Sequence, residues 1–176
     1  MKDYELKNKN LHLERINSDN FLTLYELEVS EEQKQFVASN RFSMAEAYAR
    51  LSNGQFVQCF GIIDGDTPVG FAMIGHDIPY EPDDDLNEKY RFTRSSYFIW
   101  RFMIDRRYQG KGYGREAMKL ILDFIRSGPC RQSEYAWLCY DPENTAARKL
   151  YASFGFEEIP EAYSAEDDEI LAVLKL

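Results

Sequence analysis

Cysteine is scarce in this 176-residue chain, and the three present, Cys59, Cys130 and Cys139, form an odd set without any C-x-x-C spacing. That pattern argues against a disulfide framework or a thiolate zinc site and fits reduced thiols in a cytoplasmic setting. Histidine is scarcer still: His12 and His76 stand far apart, so no metal centre is expected. Ten glycines and six prolines are too few for a collagen-like or low-complexity chain. No apolar run approaches the ~18–20 residues that a membrane span requires, and the mean hydropathy is −0.51. Residues 1–10 carry charges with no apolar stretch after them, so no secretory leader is expected. Basic charge is in the minority, 21 Lys and Arg against 30 Asp and Glu, for a net charge of −9. Such a surface speaks against nucleic acid or an anionic membrane as partner and makes cationic partners the natural expectation.

What is present is packing material. A chain that is 44% hydrophobic and 15% aromatic has enough apolar surface for a sizeable core, and its length fits one domain spanning residues 1–176. Leu11 to Ile16 alternates as a half-buried strand, and Asn17-Ser18-Asp19 supplies a stop and cap before a helix from about Asn20. Ser43 and Glu46 have capping-box spacing, which predicts a helix over Ser43 to Leu51 that ends at Asn53-Gly54. Phe56 to Ile63 and Val69 to Gly75, joined by Asp64-Gly65-Asp66-Thr67-Pro68, read as a hairpin. Tyr97 to Ile104 is almost continuously apolar, as expected of a central strand covered on both faces. A helix through Ala117, Leu120, Ile121, Phe124 and Ile125 follows, then a strand over Tyr135 to Tyr140. Asp141-Pro142-Glu143 offers a cap with proline at the first helical position, and Gly155 stops the helix that follows. The tail from Ile170 reads as a last strand. The order β-α-α-β-β-β-α-β-α-β-β predicts an α/β (α+β) fold, one mixed sheet with helices on both faces.

The sharpest local feature is Arg106 to Arg115, with Gly110, Gly112 and Gly114 at alternate positions between a buried strand and an amphipathic helix. Such a junction can hold phosphates, because glycines admit close backbone approach and unpaired N–H groups at a helix start point at the anion. It can equally be a flexible basic turn. It is neither a Walker loop nor a G-x-G-x-x-G fingerprint. Between Arg101 and Arg131 there are eight basic residues, Arg101, Arg106, Arg107, Lys111, Arg115, Lys119, Arg126 and Arg131, against Asp105, Glu116 and Asp123. This local excess inside an acidic chain suits a polyanionic ligand.

Gln109-x-x-Gly112-x-Gly114 resembles the acetyl-CoA pyrophosphate loop of the GCN5-related N-acetyltransferase (GNAT) superfamily, and Asn144 to Phe156 resembles its following helix with a Leu-Tyr-x-x-x-Gly-Phe ending. Trp100 to Asp105 and Arg148 to Phe156 are similar, more narrowly, to bacterial spermine/spermidine (diamine) N-acetyltransferases. The resemblance implies a mostly antiparallel, twisted sheet of about six to seven strands and acetyl-CoA as cosubstrate. It implies that the backbone of Phe102, Met103 and Ile104 pairs with pantetheine, one N–H polarising the thioester carbonyl. Amides of Gln109, Gly110, Lys111, Gly112, Tyr113, Gly114 and Arg115 would then hold the pyrophosphate, Asn144 would bond the cosubstrate, and Tyr151 would protonate the departing thiolate. By its spacing alone, Tyr151 is equally one more member of the apolar stripe with Ala147, Leu150 and Phe154.

For the acceptor, three acidic groups stand out: Glu26, Glu28, Glu31 and Glu32; Asp77 to Glu88, with Asp83 and Asp84; and Glu157 to Glu169. They are either solvated loops or the binding surface for a polycationic amine, with Glu28, Glu31, Asp83, Asp84 and Trp100 as the candidate contacts. An alkylamine of pKa ~10.4 is neutral about once in 2,500 molecules at pH 7, so deprotonation costs roughly 4–5 kcal/mol. Carboxylates beside the reacting nitrogen would raise that cost, so acids are expected to grip the distal ammonium groups instead. The expectation is direct acetyl transfer to spermidine or spermine in a ternary complex. An aminoglycoside-like drug or a protein N-terminus as acceptor, or a non-catalytic CoA-sensing domain, are the alternatives. The sequence identifies no general base; His76 is a weak candidate, and Cys139 is read as a small buried hydrophobe, not an acyl carrier. A homodimer joined through the last strand is open.

Overall fold

A computed structural model describes residues 10–79, 90–159 and 169–176. Seven strands form one sheet: β1 (Leu11–Arg15), β2 (Phe56–Asp64), β3 (Thr67–His76), β4 (Tyr97–Ile104), β5 (Tyr135–Tyr140), β6 (Glu157–Glu158) and β7 (Ile170–Lys175). Their spatial order is β1-β2-β3-β4-β5-β7-β6. Neighbours are antiparallel except β4 and β5, which run parallel. Among the described residues there are four α-helices: α1 (Phe21–Tyr25), α2 (Asn40–Ser52), α3 (Tyr113–Arg126) and α4 (Thr145–Ala152). Helix α3 buries Ala117, Met118, Ile121, Leu122 and Ile125, each of the larger side chains among them contributing roughly 1.5–3 kcal/mol on burial. With Tyr151 of α4 these residues cover one face of the sheet, while Leu24 and Ala47 of α1 and α2 cover the other. Tyr97 and Ile99 of β4 join the first layer, and Phe98, Trp100 and Met103 the second. The continuous apolar run is thus a central strand packed on both sides. Among the described residues no helix is long and apolar enough to cross a membrane.

Two helix starts differ from the sequence expectation. Helix α2 begins one turn early: Ser39 is its cap, with Oγ accepting the Phe42 amide at 3.3 Å. Ser43 is fully buried inside the helix and donates its hydroxyl to the Ser39 carbonyl at 3.0 Å. Two serines one turn apart compete for one cap, and burial of the second decides it. Helix α4 is capped by Asn144, whose Oδ1 accepts the Ala147 amide at 3.1 Å. Asp141 instead closes a preceding turn, accepting the Glu143 amide on its side chain and the Asn144 amide on its carbonyl, with Pro142 at the turn position that suits its fixed φ. The last strand is also not an open edge: β7 has β5 on one side and β6, at Ala172 and Val173, on the other. A dimer built by adding a strand along β7 therefore has little free backbone to use.

Candidate active site

Strands β4 and β5 are in register only at Tyr97 with Ala136 and Phe98 with Trp137. The Phe98 and Trp137 rings stack at that last paired level, 3.8 Å between centroids and 6° from parallel. Beyond it the strands fork. A bulge lies at the same place: Met73 pairs with Arg101 and Ile74 with Ile99, leaving Trp100 as the extra residue. A bulge bends its strand and sharpens the local twist, and here it turns Trp100 and Arg101 both toward α2. Arg50 of α2 lies 5.0 Å over the Trp100 ring, and Arg101 meets Glu46 of α2 at 3.2 Å. Past the fork, Ile99 to Ile104 have no strand partner on the β5 side, so that edge keeps backbone groups available for an extended ligand.

The fork opens into a cavity of about 940 Å³, large enough for a sizeable small molecule. Of the sequence-predicted residues it brings together Trp100, Phe102, Met103, Ile104, Gln109, Gly110, Gly112, Tyr113, Gly114, Asn144 and Tyr151. At one end is the start of α3. Gly110 and Gly112 have φ of +71° and +80°, and Gly112 is the N-cap of α3 in the left-handed region, where a side chain is strained. The amides of Gln109, Gly110, Gly112, Gly114 and Arg115 have no hydrogen-bond acceptor among the described residues, which makes the helix start a ready anion cradle.

The basic side chains contribute less than their number suggests. Arg107 is locked on Asp105 at 2.7 Å, Lys111 donates to the Arg107 carbonyl at 2.8 Å, and Arg115 lies 5.9 Å over the Phe154 ring. Neither Lys111 nor Arg115 lines the cavity. The Gln109 side chain donates to Gln33 at 2.8 Å and to the Ile104 carbonyl at 2.9 Å, so it braces the loop while its amide stays available. Asn144 spends its carbonyl oxygen on the helix cap; its amide nitrogen has no partner among the described residues. Tyr113 donates its hydroxyl to Asp64, and that bond, with burial, pushes its pKa up to about 12.

Tyr151 projects from α4 against the rings of Tyr140 and Phe156, at 5.4 and 6.0 Å between centroids. It is 8% exposed and lines the cavity. Burial holds its phenol far above the usual range, so it stays protonated throughout neutral pH. Its hydroxyl has no hydrogen-bond partner among the described residues, as expected of a donor reserved for a ligand.

Residues 21–156 match the Acetyltransferase (GNAT) family. The chain belongs to that family. It is 27% identical over 149 residues, 84% of its own length and 88% of the relative's, to the spermine/spermidine N(1)-acetyltransferase of Bacillus subtilis (strain 168). The fold matches aminoglycoside acetyltransferase AAC(6')-Ib solved with coenzyme A, at TM-score 0.70 and 16% identity over 94% of each chain. It also matches spermidine N-acetyltransferase from Vibrio cholerae, solved with CoA and spermine, at TM-score 0.66 and 16% identity over 94% of this chain and 95% of the other.

In this acetyltransferase several expected acceptor residues lie away from the cavity. Glu31 is exposed and paired with Lys34 at 2.6 Å, a bond that lowers its pKa. Glu28 approaches Arg106 at 4.0 Å and borders a smaller neighbouring pocket of about 310 Å³. Asp83 and Asp84 lie outside the described residues. His76 is buried at the far end of β3, bonded to Ser133 at 3.1 Å and packed on Tyr97, and burial lowers its pKa; it does not line the cavity. Cys139 does.

Sequence reading gave no place at the site to two carboxylates. Glu46 lines the cavity and holds Arg101; once Ser39 is the cap, Glu46 follows Ser43 by three on the inward stripe, which is the signal that was available. Asp105, read only as one acid among bases, anchors the loop that ends β4. Because a left-handed backbone at the N-cap admits glycine far better than a branched residue, Gly112→Val is expected to raise KM for acetyl-CoA at least tenfold. Steady-state kinetics with acetyl-CoA varied at saturating amine will measure it, and an unchanged KM would remove the loop from cosubstrate binding.

Proposed function

We propose that this chain transfers acetyl from acetyl-CoA to a primary amine of a polyamine, spermidine or spermine, by direct attack in a ternary complex. The observation that carries the catalytic part is Tyr151, a protonated phenol facing the cavity whose hydroxyl has no hydrogen-bond partner among the described residues. The acceptor class is supported by the Bacillus relative's activity and by the net charge of −9. Acetyl-CoA supplies the acetyl group as a thioester. The amides of Gln109 to Arg115 bind its pyrophosphate, and the free edge of Phe102 to Ile104 takes its arm like an added strand. A β4 amide past the bulge polarises the carbonyl oxygen. As the C–N bond forms and the C–S bond breaks, the sulfur keeps the bonding pair and Tyr151 donates its hydroxyl proton toward it. The amine's proton passes to water.

A panel of amines with thiol release as readout tests this reading. Spermidine and spermine are expected to exceed propylamine in kcat/KM by at least tenfold at low salt, and equal constants would refute the polyamine assignment. Cys139→Ala is expected to retain acetyl transfer, because direct attack needs no acyl-enzyme; loss of turnover with cosubstrate affinity intact would establish an acyl-enzyme route instead.

A further inference from the structure

Gln33 lies in a single 3₁₀ turn, Glu31–Gln33, between α1 and α2, and it lines the 940 Å³ cavity together with Ile104 and Gln109. Its side chain is one link in a run of three hydrogen bonds. Gln109 Nε2 donates to the Ile104 carbonyl at 2.9 Å and to Gln33 Oε1 at 2.8 Å, and the Ser30 amide donates to the same Oε1 at 3.3 Å. Backbone groups at both ends fix how the two side-chain amides are turned, because a carbonyl only accepts and a backbone N–H only donates. Gln33 therefore uses its oxygen twice, while its Nε2 has no hydrogen-bond partner among the described residues. The Ile104 carbonyl faces the open edge of β4: the next residue, Asp105, donates its amide to Val69 of β3 at 2.9 Å, and successive residues of a strand turn their backbone groups to opposite sides. The two glutamines thus stand at the end of that edge, away from Trp100 and beside the first amide of the glycine loop.

We propose that Gln33 is a cosubstrate-binding residue, donating an Nε2 hydrogen to an amide carbonyl of the pantetheine arm where the arm passes from β4 to the pyrophosphate cradle. Such a carbonyl needs a donor once water leaves the cavity, and Gln109 already holds the last carbonyl of the strand edge. A donor whose orientation is set before the ligand arrives loses little freedom on binding. The inference rests on the reading that the arm of acetyl-CoA lies along Phe102 to Ile104. It adds a contact from a segment 76 residues before Gln109, one that carries no glycine motif and no charge to mark it.

The test measures the Kd of CoA by titration calorimetry, without amine, in wild type, Gln33→Glu and Gln33→Met. Glutamate keeps an accepting oxygen for Gln109 and Ser30 and has no N–H to offer at neutral pH, so it separates a ligand contact from a brace. Gln33→Glu is expected to weaken CoA roughly five- to tenfold, with Tm as in wild type. The new carboxylate also repels phosphates, so the comparison is repeated at about 0.5 M salt, where that repulsion is screened. The loss is expected to persist there. Gln33→Met brings no charge and is expected to weaken CoA at least as much, lowering Tm as well because the brace is gone. An unchanged Kd in Gln33→Glu, or a loss that vanishes at high salt, overturns the inference and leaves the placement of the arm standing. A wild-type protein that does not bind CoA overturns that placement and this inference with it.

Discussion

Tyr151→Phe is expected to lower kcat by roughly 10²-fold, the usual yield of a positioned general acid, while the Kd for CoA stays unchanged. The substitution removes one hydroxyl and keeps the ring that packs against Tyr140 and Phe156, so the helix and the apolar stripe survive. A purely structural tyrosine would give the reverse, full turnover with slightly altered stability. The pH profile adds a second check. Burial raises the phenol's pKa, so Tyr151 remains a donor across the range in which an alkylamine loses its proton, and kcat/KM should climb as pH rises from 7 toward ~10. A profile falling above pH 8 would place a different group, with a lower pKa, in the donor role.

Asp105→Ala is expected to be the most destabilising single change near the site, by about 3 kcal/mol. The carboxylate is 2% exposed as a residue and accepts four hydrogen bonds: the Glu28 amide at 3.0 Å, the Arg107 amide at 3.0 Å, and the Arg107 guanidinium at 2.7 and 3.1 Å. It ties the segment before α2 to the end of β4, and the Arg106 amide completes the tie on the Glu28 carbonyl at 2.9 Å. Removing it leaves the part-buried amides of Glu28 and Arg107 without an acceptor. For a chain of this size that corresponds to a fall in Tm of roughly 6–12 °C, measurable by calorimetry. Burial alone would raise the Asp105 pKa, but the hydrogen bonds from Arg107 and Glu28 outweigh it and hold it below its ordinary value of 3.8. With the folded pKa depressed, its contribution is fully present above about pH 4 and is lost as pH falls through the folded value. Wild type should therefore lose stability more steeply than Asp105→Ala between pH 4 and pH 2, roughly; parallel curves would show that this carboxylate is not what the acid limb reports.

The periodic elements were legible because each announces itself within its own segment. The run Tyr97 to Ile104 reads as a strand covered on both faces, and it is one. The stripe of α3 and the glycine loop before it stand where their patterns put them. Helix caps were less legible: Ser39 and Ser43 are both good caps by type, and only the burial of Ser43 separates them. Charges were least legible. The sequence shows a cluster of arginines and lysines about the loop, whereas in the fold Arg107, Lys111 and Arg115 turn to an aspartate, a carbonyl and a phenyl ring. What the start of α3 offers the cavity is mainly backbone amides, which have no letter in a sequence.

By itself the sequence determined the strand and helix order, the glycine loop between β4 and α3, and the tyrosine on the stripe of α4, because each follows from residue type and spacing along one stretch of chain. Only the tertiary structure decided where β4 and β5 part, since register is a relation between segments some forty residues apart. That parting makes the cavity, and the bulge beside it turns Arg101 toward a glutamate 55 residues away. Charge in a sequence is a sum over the chain; charge in a site is a matter of which few groups share a poorly screened wall, and folding alone selects them.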